Sequence, residues 1–253
     1  MLNVYATQHV NSRTVCAAFA AGARAPIVPP APLLPGDVAM YGCLRGLLPT
    51  LRQAQAEGRA WLYLDNGYFR PGHFSGFYRA TWNAYQHDGT GRGDPTRWRA
   101  LGLTIAPWRR DGSHVLVCPP SDIFGQLMGF DAAGWLVRTI QALARATDRE
   151  IRIRKKPAAA GAGTPLAEDL ASAWALVTHS SNAAVEALLA GVPVFCTAPC
   201  AAAGMGLADL SRIEGPLLPD DRERWAAALA VNQWTLDEMR GGTCWRMLNE
   251  GSL

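Results

Sequence analysis

The chain has 253 residues, 49% of them hydrophobic and 18% charged, with a formal charge of +3 at pH 7. That length holds one large α/β domain or two small ones, and the apolar content supports a packed core and excludes disorder over most of the chain. The small basic excess admits an anionic ligand but falls short of the footprint of a dedicated nucleic-acid binder. The six cysteines form no CxxC pair and no Cys/His cluster at zinc-finger spacing, so free thiols, a reducing compartment and no structural metal are expected. No signal-peptide pattern opens the chain and no apolar run reaches the roughly 20 residues a bilayer crossing needs, which predicts a cytoplasmic protein without a membrane span.

Apolar runs of strand length alternate with segments of helical length, the pattern of parallel βα units. NVYAT (3–7) begins the series, VCAAFAAGA (15–23) reads as a short helix, and the five prolines between 26 and 35 mark a loop. DVAMYG (37–42) is a strand, LLPTLRQAQAEG (47–58) a helix with Pro49 in its first turn, and WLYLDNGYF (61–69) the next strand. From about 70 to 110 the pattern dissolves into a Gly-, Arg-, His- and aromatic-rich stretch, and loops this long are functional or mobile. HVLVCPPS (114–121) restarts the series as a buried strand. GWLVRTIQALARATD (134–148) follows as an amphipathic helix with Leu136, Ile140, Leu143 and Ala144 on one stripe. REIRIRKKP (149–157) is a strand with a basic end, PAAAGAGTP (157–165) has linker composition, and PLAEDLASA, WALVTH and PVFC supply a helix and two strands. The tail WTLDEMRGGTCWRML is helical, broken at Gly241 and Gly242.

The strand WALVTH runs into VTHSSNAAVEALLAGVPVF (177–195). His179, Ser180, Ser181 and Asn182 fall where a parallel strand meets a helix N-terminus, and their small polar side chains suit a phosphate there. Ordinary N-capping by Ser or Asn is the other reading. Glu186 belongs to no capping box, because Ser180 and Ser181 have alanines three residues on. A carboxylate a full turn inside an apolar helix must reach solvent, find a cation, or accept hydrogen bonds from a ligand with paired hydroxyls, such as a ribose. Gly191 and Pro193 then end the helix.

This segment resembles the nucleotide-sugar-binding segment of GT-B-fold glycosyltransferases, particularly the group related to bacterial capsule-polysaccharide transferases. There a strand enters a Ser/Thr-rich turn, a helix carries a Glu, and Gly-x-Pro closes the unit. The resemblance is clear over about 165–197, extends less closely from about 114, and is architectural before that. It implies that Ser180, Ser181 and Asn182 hold a diphosphate and Glu186 the ribose. It also implies an α/β fold of two small Rossmann-like halves with parallel sheets, with C-terminal helices packing back across the cleft. The corresponding division is 1–110 for the acceptor side, 111–230 for the nucleotide-sugar side, and 231–253 for returning helices. Among Arg152, Arg154, Lys155 and Lys156, Arg154 and Lys156 are the candidates to reach a phosphate, against a solvated basic edge strand. No Asp-x-Asp pair is found, which fits transferases that meet the leaving diphosphate with helix dipole and basic groups, so neither metal nor cofactor is expected.

YLDNGYFRPGHFSGFYRATWNAYQHDGTGRGD (63–94) combines titratable groups with many aromatics. Asp65 ends an apolar strand and is the first candidate for the base that takes the acceptor hydroxyl's proton; His73 is the second. Arg70, Arg79, Trp82, His87 and Asp88 are acceptor-side candidates, each with a turn or surface role as alternative. Aromatic faces with interleaved Arg suit sugars or nucleobases, which leaves open a glycan acceptor or hydroxymethylated DNA, as for phage enzymes working in the host cytoplasm. Phe74, Phe77, Tyr78 and Trp82 at helical spacing instead suggest a helix packed on a core. The expected function is transfer of a sugar from a nucleotide-sugar to an acceptor hydroxyl. The alternatives are a nucleotide-sugar epimerase or hydrolase, and a non-catalytic nucleotide- or nucleic-acid-binding module.

Overall fold

The computed structural model describes residues 1–42, 45–70, 72, 74–156 and 164–250. The chain opens with β1 (Leu2–Tyr5), α1 (Val10–Ala23), β2 (Ile27–Val28), β3 (Asp37–Tyr41), α2 (Leu48–Ala56), β4 (Trp61–Asn66), β5 (Tyr78–Trp82) and α3 (Pro95–Ala100). Then come β6 (His114–Cys118), α4 (Asp122–Met128), α5 (Ala132–Ala146), β7 (Glu150–Ile153), α6 (Leu166–Leu170), β8 (Ala173–Thr178), α7 (Ala183–Leu189) and β9 (Val194–Cys196). The chain closes with α8 (Arg222–Ala230), β10 (Gln233–Trp234), α9 (Leu236–Arg240) and α10 (Thr243–Asn249). Two compact units result. Unit 1 comprises Met1–His87, Gly91–Leu101 and Ala227–Leu253; unit 2 comprises Asp88–Thr90 and Gly102–Ala226.

Unit 1 is built on a six-stranded sheet in the order β10-β5-β4-β3-β1-β2. β1 to β4 run parallel, whereas β5 doubles back antiparallel on β4 and β10 antiparallel on β5. α1 begins five residues before the helix that VCAAFAAGA suggests. The turn ahead of it is held by local bonds that apolar periodicity does not report: Thr7 N–H donates to Ser12 Oγ and His9 N–H to Thr7 Oγ1. α1 buries Val15, Cys16 and Phe19 against Val4, Ala39, Leu62 and Leu64 of the sheet, and Trp234, Met239 and Cys244 from the tail join the same core. The tail approaches through Gly22, where a Cβ would run into the Met239 carbonyl oxygen and the Gly242 backbone.

The aromatic stretch corrects one expectation. Tyr78 and Trp82 lie not on a helix but on β5, whose period of two sends Tyr78, Ala80 and Trp82 toward the α1 core. Pairing with β4 from Leu62↔Trp82 to Asn66↔Tyr78 supplies the backbone partners that overrule the helical spacing. Phe74 is exposed.

Unit 2 carries a four-stranded, wholly parallel sheet in the order β7-β6-β8-β9. Val115, Leu116 and Val117 of β6 and Ala175, Leu176 and Val177 of β8 are buried, as the continuous apolar runs of central parallel strands require. α5 lies over the sheet with Ala132, Trp135, Thr139 and Leu143 inward. Ala144 is exposed, so the predicted stripe is rotated: the large Trp135 indole takes the inward position and carries the i, i+4 series with it. Gly191 adopts φ +74°, and a Cβ there would strike the Pro107 carbonyl. Cys16, Cys118, Cys196, Cys200 and Cys244 are free and buried; Cys43 lies outside the described residues.

Candidate functional site

Parallel strands bring their carboxyl ends to one edge, where ligands of α/β proteins gather. In unit 2 that edge carries Pro119 after β6, Arg154 after β7, His179 and Ser180 after β8, and Thr197 after β9. The turn after β8 is tied on both sides. Thr178 donates its hydroxyl to the Cys118 carbonyl (2.7 Å), and the N–H groups of Thr197 and Ala198 donate to the carbonyls of Thr178 and His179 (3.1 Å each). The small polar side chains are thus held in place by the strands themselves.

Ser180 is buried, with its hydroxyl 3.0 Å from His179 Nδ1. The His179 ring stacks on Phe130 (4.3 Å between centroids, 14° between planes) and meets Phe124 and Trp135 edge-on. Desolvation in this aromatic surround lowers its pKa, which keeps the imidazole neutral at pH 7. The Ser181 hydroxyl accepts from Ala183 N–H (3.2 Å), and Ser181 N–H donates to Thr178 Oγ1 (3.3 Å). That is the local capping open to this turn, made by Ser181 while Asn182 enters α7 in helical conformation (φ −62°, ψ −14°).

Glu186 projects from α7 into a recess of about 160 Å³ that Arg109 and the α6 residues Ala167 and Leu170 also line. The residue is exposed, yet its carboxyl pKa is raised: the neighbouring protein desolvates it, and the Arg154 guanidinium offsets part of the effect. Arg154 is anchored: its backbone N–H donates to the Val117 carbonyl (2.9 Å), Asp169 pairs with one arm of the guanidinium, and the Thr164 carbonyl accepts from the other (2.6 Å). The fork therefore ties the end of β7 to α6, and its charge acts on the recess from a fixed position. Lys156 is exposed.

In unit 1 the structure brings together two candidates with separate expected roles. Asp65 and Arg79 face each other on the β4–β5 ladder, and Asp65 Oδ2 accepts from Arg79 Nη2 (2.8 Å) while Oδ1 accepts from Asn66 N–H (2.8 Å). Arg79 is 5% exposed; it also donates to the carbonyls of Asn66 (2.6 Å) and Tyr85 (3.3 Å), and its guanidinium lies 5.3 Å from the Tyr68 ring centre. The other acceptor-side candidates are apart from this pair. Trp82 packs on the α1 core with its ring 6.3 Å from Trp245, His87 donates its backbone N–H to the Tyr68 hydroxyl (2.7 Å), and Arg70 is exposed at φ 45°. Asp88, in unit 2, closes an Asx turn by accepting from Thr90 N–H (2.9 Å) and hydroxyl (2.6 Å). His73 lies outside the described residues.

Sequence reasoning passed over Arg109, which sits in an aperiodic stretch where no local signal marks its role. It also passed over Phe124, Phe130 and Trp135 as neighbours of His179, and the rotation of α5 explains the last. Among the described residues, no group of three or more His, Cys, Asp and Glu side chains is arranged to hold a metal ion. No described helix is long and apolar enough to cross a membrane.

No protein-family profile matches the chain, and no curated protein sequence does. Its fold is shared with solved structures from Thermosulfurimonas dismutans. The beta Kdo 2,4 transferase of KpsC is 17% identical at TM-score 0.55, over 90% of this chain and 89% of that one. The beta Kdo 2,7 transferase of KpsC is 12% identical at TM-score 0.56, over 99% of both chains. The chain has the α/β fold with Rossmann-like parallel sheets that these transferases have.

Proposed function

We propose that the chain is a glycosyltransferase that moves a sugar from a nucleotide-sugar to a hydroxyl of a glycan without a metal. The observation that carries this reading is the fold likeness to a transferase that runs over 99% of both chains. Unit 2 adds a strand–turn–helix junction whose lone helical carboxylate, Glu186, opens on a recess. In this reading Glu186 accepts from the donor's ribose hydroxyls, while Ser180, Ser181, Asn182 and His179 contact its phosphate. Lys156, with the fixed charge of Arg154 behind it, meets the negative charge that grows on the leaving group. Asp65, oriented by Arg79, takes the acceptor proton, with His73 as the second candidate.

A glycan acceptor is favoured over DNA. Tyr68, Phe69 and Tyr78 are buried and Trp82 packs on the α1 core, so these faces serve packing rather than base stacking. Phe74, exposed, is an exception.

The test is a thermal-shift titration with nucleoside mono- and diphosphates, with and without magnesium, followed by turnover assays with sugar-loaded donors, Kdo donors included. At about 100 times its dissociation constant a ligand stabilises by about 2.7 kcal/mol, a shift of several degrees. A magnesium-independent shift with one nucleotide, and acceptor-dependent turnover with the matching donor, are expected. Product formed with no acceptor present would instead indicate an epimerase or hydrolase. A chain that binds no nucleotide at all is not a nucleotide-sugar transferase.

A further inference from the structure

Every tryptophan, tyrosine and phenylalanine of the chain is described, and of these Phe74 alone is exposed, at 45%. It lies in the connection from β4 to β5 and holds φ at 64°, in the left-handed region that a bulky side chain enters at a cost and glycine enters freely. Arg70, in the same connection, is also exposed and left-handed (φ 45°). A single exposed apolar residue is ordinary on a surface. A ring nearly half in water does not account for backbone strain that a glycine would remove, and strain of this kind gathers where a ligand is held.

The backbone under this ring is fixed. Phe74 N–H donates to the Tyr78 hydroxyl (3.0 Å), and Tyr78 is itself buried, its ring edge-on to Tyr41 at 6.1 Å. The Tyr41 hydroxyl donates to Asn66 Oδ1 (3.1 Å), and Asn66, the last residue of β4, pairs with Tyr78 on the ladder. The connection also closes on itself: Phe77 N–H donates to the Arg70 carbonyl (3.0 Å), Gly76 N–H to the Gly72 carbonyl (2.8 Å), and Gly67 N–H to the Phe77 carbonyl (2.8 Å). At Gly76 a Cβ would run into the Arg70 and Gly72 carbonyl oxygens. Because β1, β3 and β4 are parallel, this connection leaves the sheet at the carboxyl edge of unit 1, where ligands of α/β folds gather.

A fixed, uncharged ring offers a ligand one interaction, stacking on an apolar face. A sugar presents such a face in its C–H groups while its hydroxyls stay in water. A single-stranded nucleic acid is held instead by several rings along a basic groove, and here one ring is exposed. We propose that Phe74 is a platform for the acceptor glycan, its ring stacking on the C–H face of a sugar at the carboxyl edge of unit 1. This rests on the glycosyl-transfer reading of the chain. The left-handed backbone then serves to present the ring rather than to pack it.

The experiment measures binding of the full chain, F74A, F74G and F74Y to an array of immobilised neutral and acidic oligosaccharides and to single-stranded DNA, with nucleoside mono- and diphosphates titrated into the same proteins. The unaltered chain is expected to bind one group of glycans, F74A and F74G to bind them about tenfold more weakly, and F74Y to keep most of the affinity. Nucleotide affinity is expected to be equal in all four. F74G is expected to melt no lower than the unaltered chain, because glycine takes φ 64° without strain, and it carries the test should F74A fold poorly. Glycan binding that survives both F74A and F74G overturns the proposal. So does an F74G chain that melts well below the unaltered one, which would make the ring part of the core. Phe74-dependent binding of DNA in place of glycans overturns it as well. A chain that binds a nucleotide but no glycan overturns the platform and leaves the donor reading standing. Phe74-dependent glycan binding with no nucleotide bound keeps the platform and removes the transferase reading.

Discussion

Glu186 shows how a single side chain poses a question that its own sequence neighbourhood cannot answer. Its helix is apolar and begins without a capping box, so the carboxylate needed a partner beyond its own turn; the structure makes Glu186 part of the lining of a recess that α6 residues also line. Desolvation raises its pKa above 4.5, against the pull of Arg154. For an acid the sign is plain: the folded protein favours the neutral carboxyl, and a ligand that needs the carboxylate binds more weakly as pH falls through the raised pKa. Calorimetric titration of a bound nucleotide from pH 7 downward is expected to show this loss at a higher pH than an unperturbed glutamate would give. Glu186→Gln is expected to bind about tenfold more weakly at pH 7 and to be flat over the same range. A variant with the pH profile of the unaltered chain would remove Glu186 from the ligand. His179, whose pKa desolvation lowers, gains positive charge on protonation and so favours an anionic ligand, which is opposite in sign to the effect of Glu186.

Among the elements, α3 illustrates a clamp that no periodicity announces. Arg97 donates to the carbonyls of Ala230 (2.7 Å) and Gln233 (2.6 Å) and holds both oxygens of Glu238 (2.6 and 3.0 Å). Glu238 also completes a capping box with Thr235 at the start of α9. Burial alone would raise the Glu238 pKa, but the hydrogen bonds from Arg97 and Thr235 outweigh it and the net shift is downward. A carboxylate whose folded pKa is lowered contributes stability that is present above about pH 4.5 and lost as pH falls through the lowered value. Arg97→Ala leaves Glu238 part-buried without its cation and is expected to cost about 2–4 kcal/mol, a fall in Tm of several degrees. Glu238→Gln is expected to flatten the decline in Tm between pH 4.5 and pH 3. The clamp is absent if Arg97→Ala melts with the unaltered chain. Thr235 and Glu238 three residues apart are legible as a helix start, whereas Arg97, 141 residues from Glu238, is not.

At the scale of the whole molecule, unit 1 is assembled from stretches far apart in the chain: its first 87 residues, α3, and the tail from Ala227. Phe19 meets Trp245 edge-on at 6.0 Å, and Gly22 lets the tail backbone lie directly on α1. Gly22→Val is expected to part this seam. The new side chain meets backbone that cannot swing aside, so a loss of about 3 kcal/mol or more in thermal melts is expected. Gly58→Ala is the comparison. It faces open space at φ +65°, and its cost is confined to backbone strain of about 1–2 kcal/mol. A Gly22→Val protein that melts close to the unaltered chain would mean that the tail is not part of the unit 1 core.

What the sequence by itself determined is local. Apolar runs at β6 and β8, Gly191 and Pro193 after α7, and the small polar turn 179–182 each encode their structure within a few residues, because strand burial, helix ends and turn chemistry act at that range. The α/β class and the strand–turn–helix junction at 173–189 were therefore legible. Tertiary structure decided which groups meet. Tyr78 and Trp82 became a strand because β4 offered partners, Asp65 met Arg79 because the ladder set their register, and α5 turned by the bulk of Trp135. Arg109 came to line the same recess as Glu186, 77 positions on in the chain, where the Gly191 and Ala171 carbonyls hold it. Pairing over such separations depends on how whole elements pack, and that information is spread across the chain rather than written at either residue.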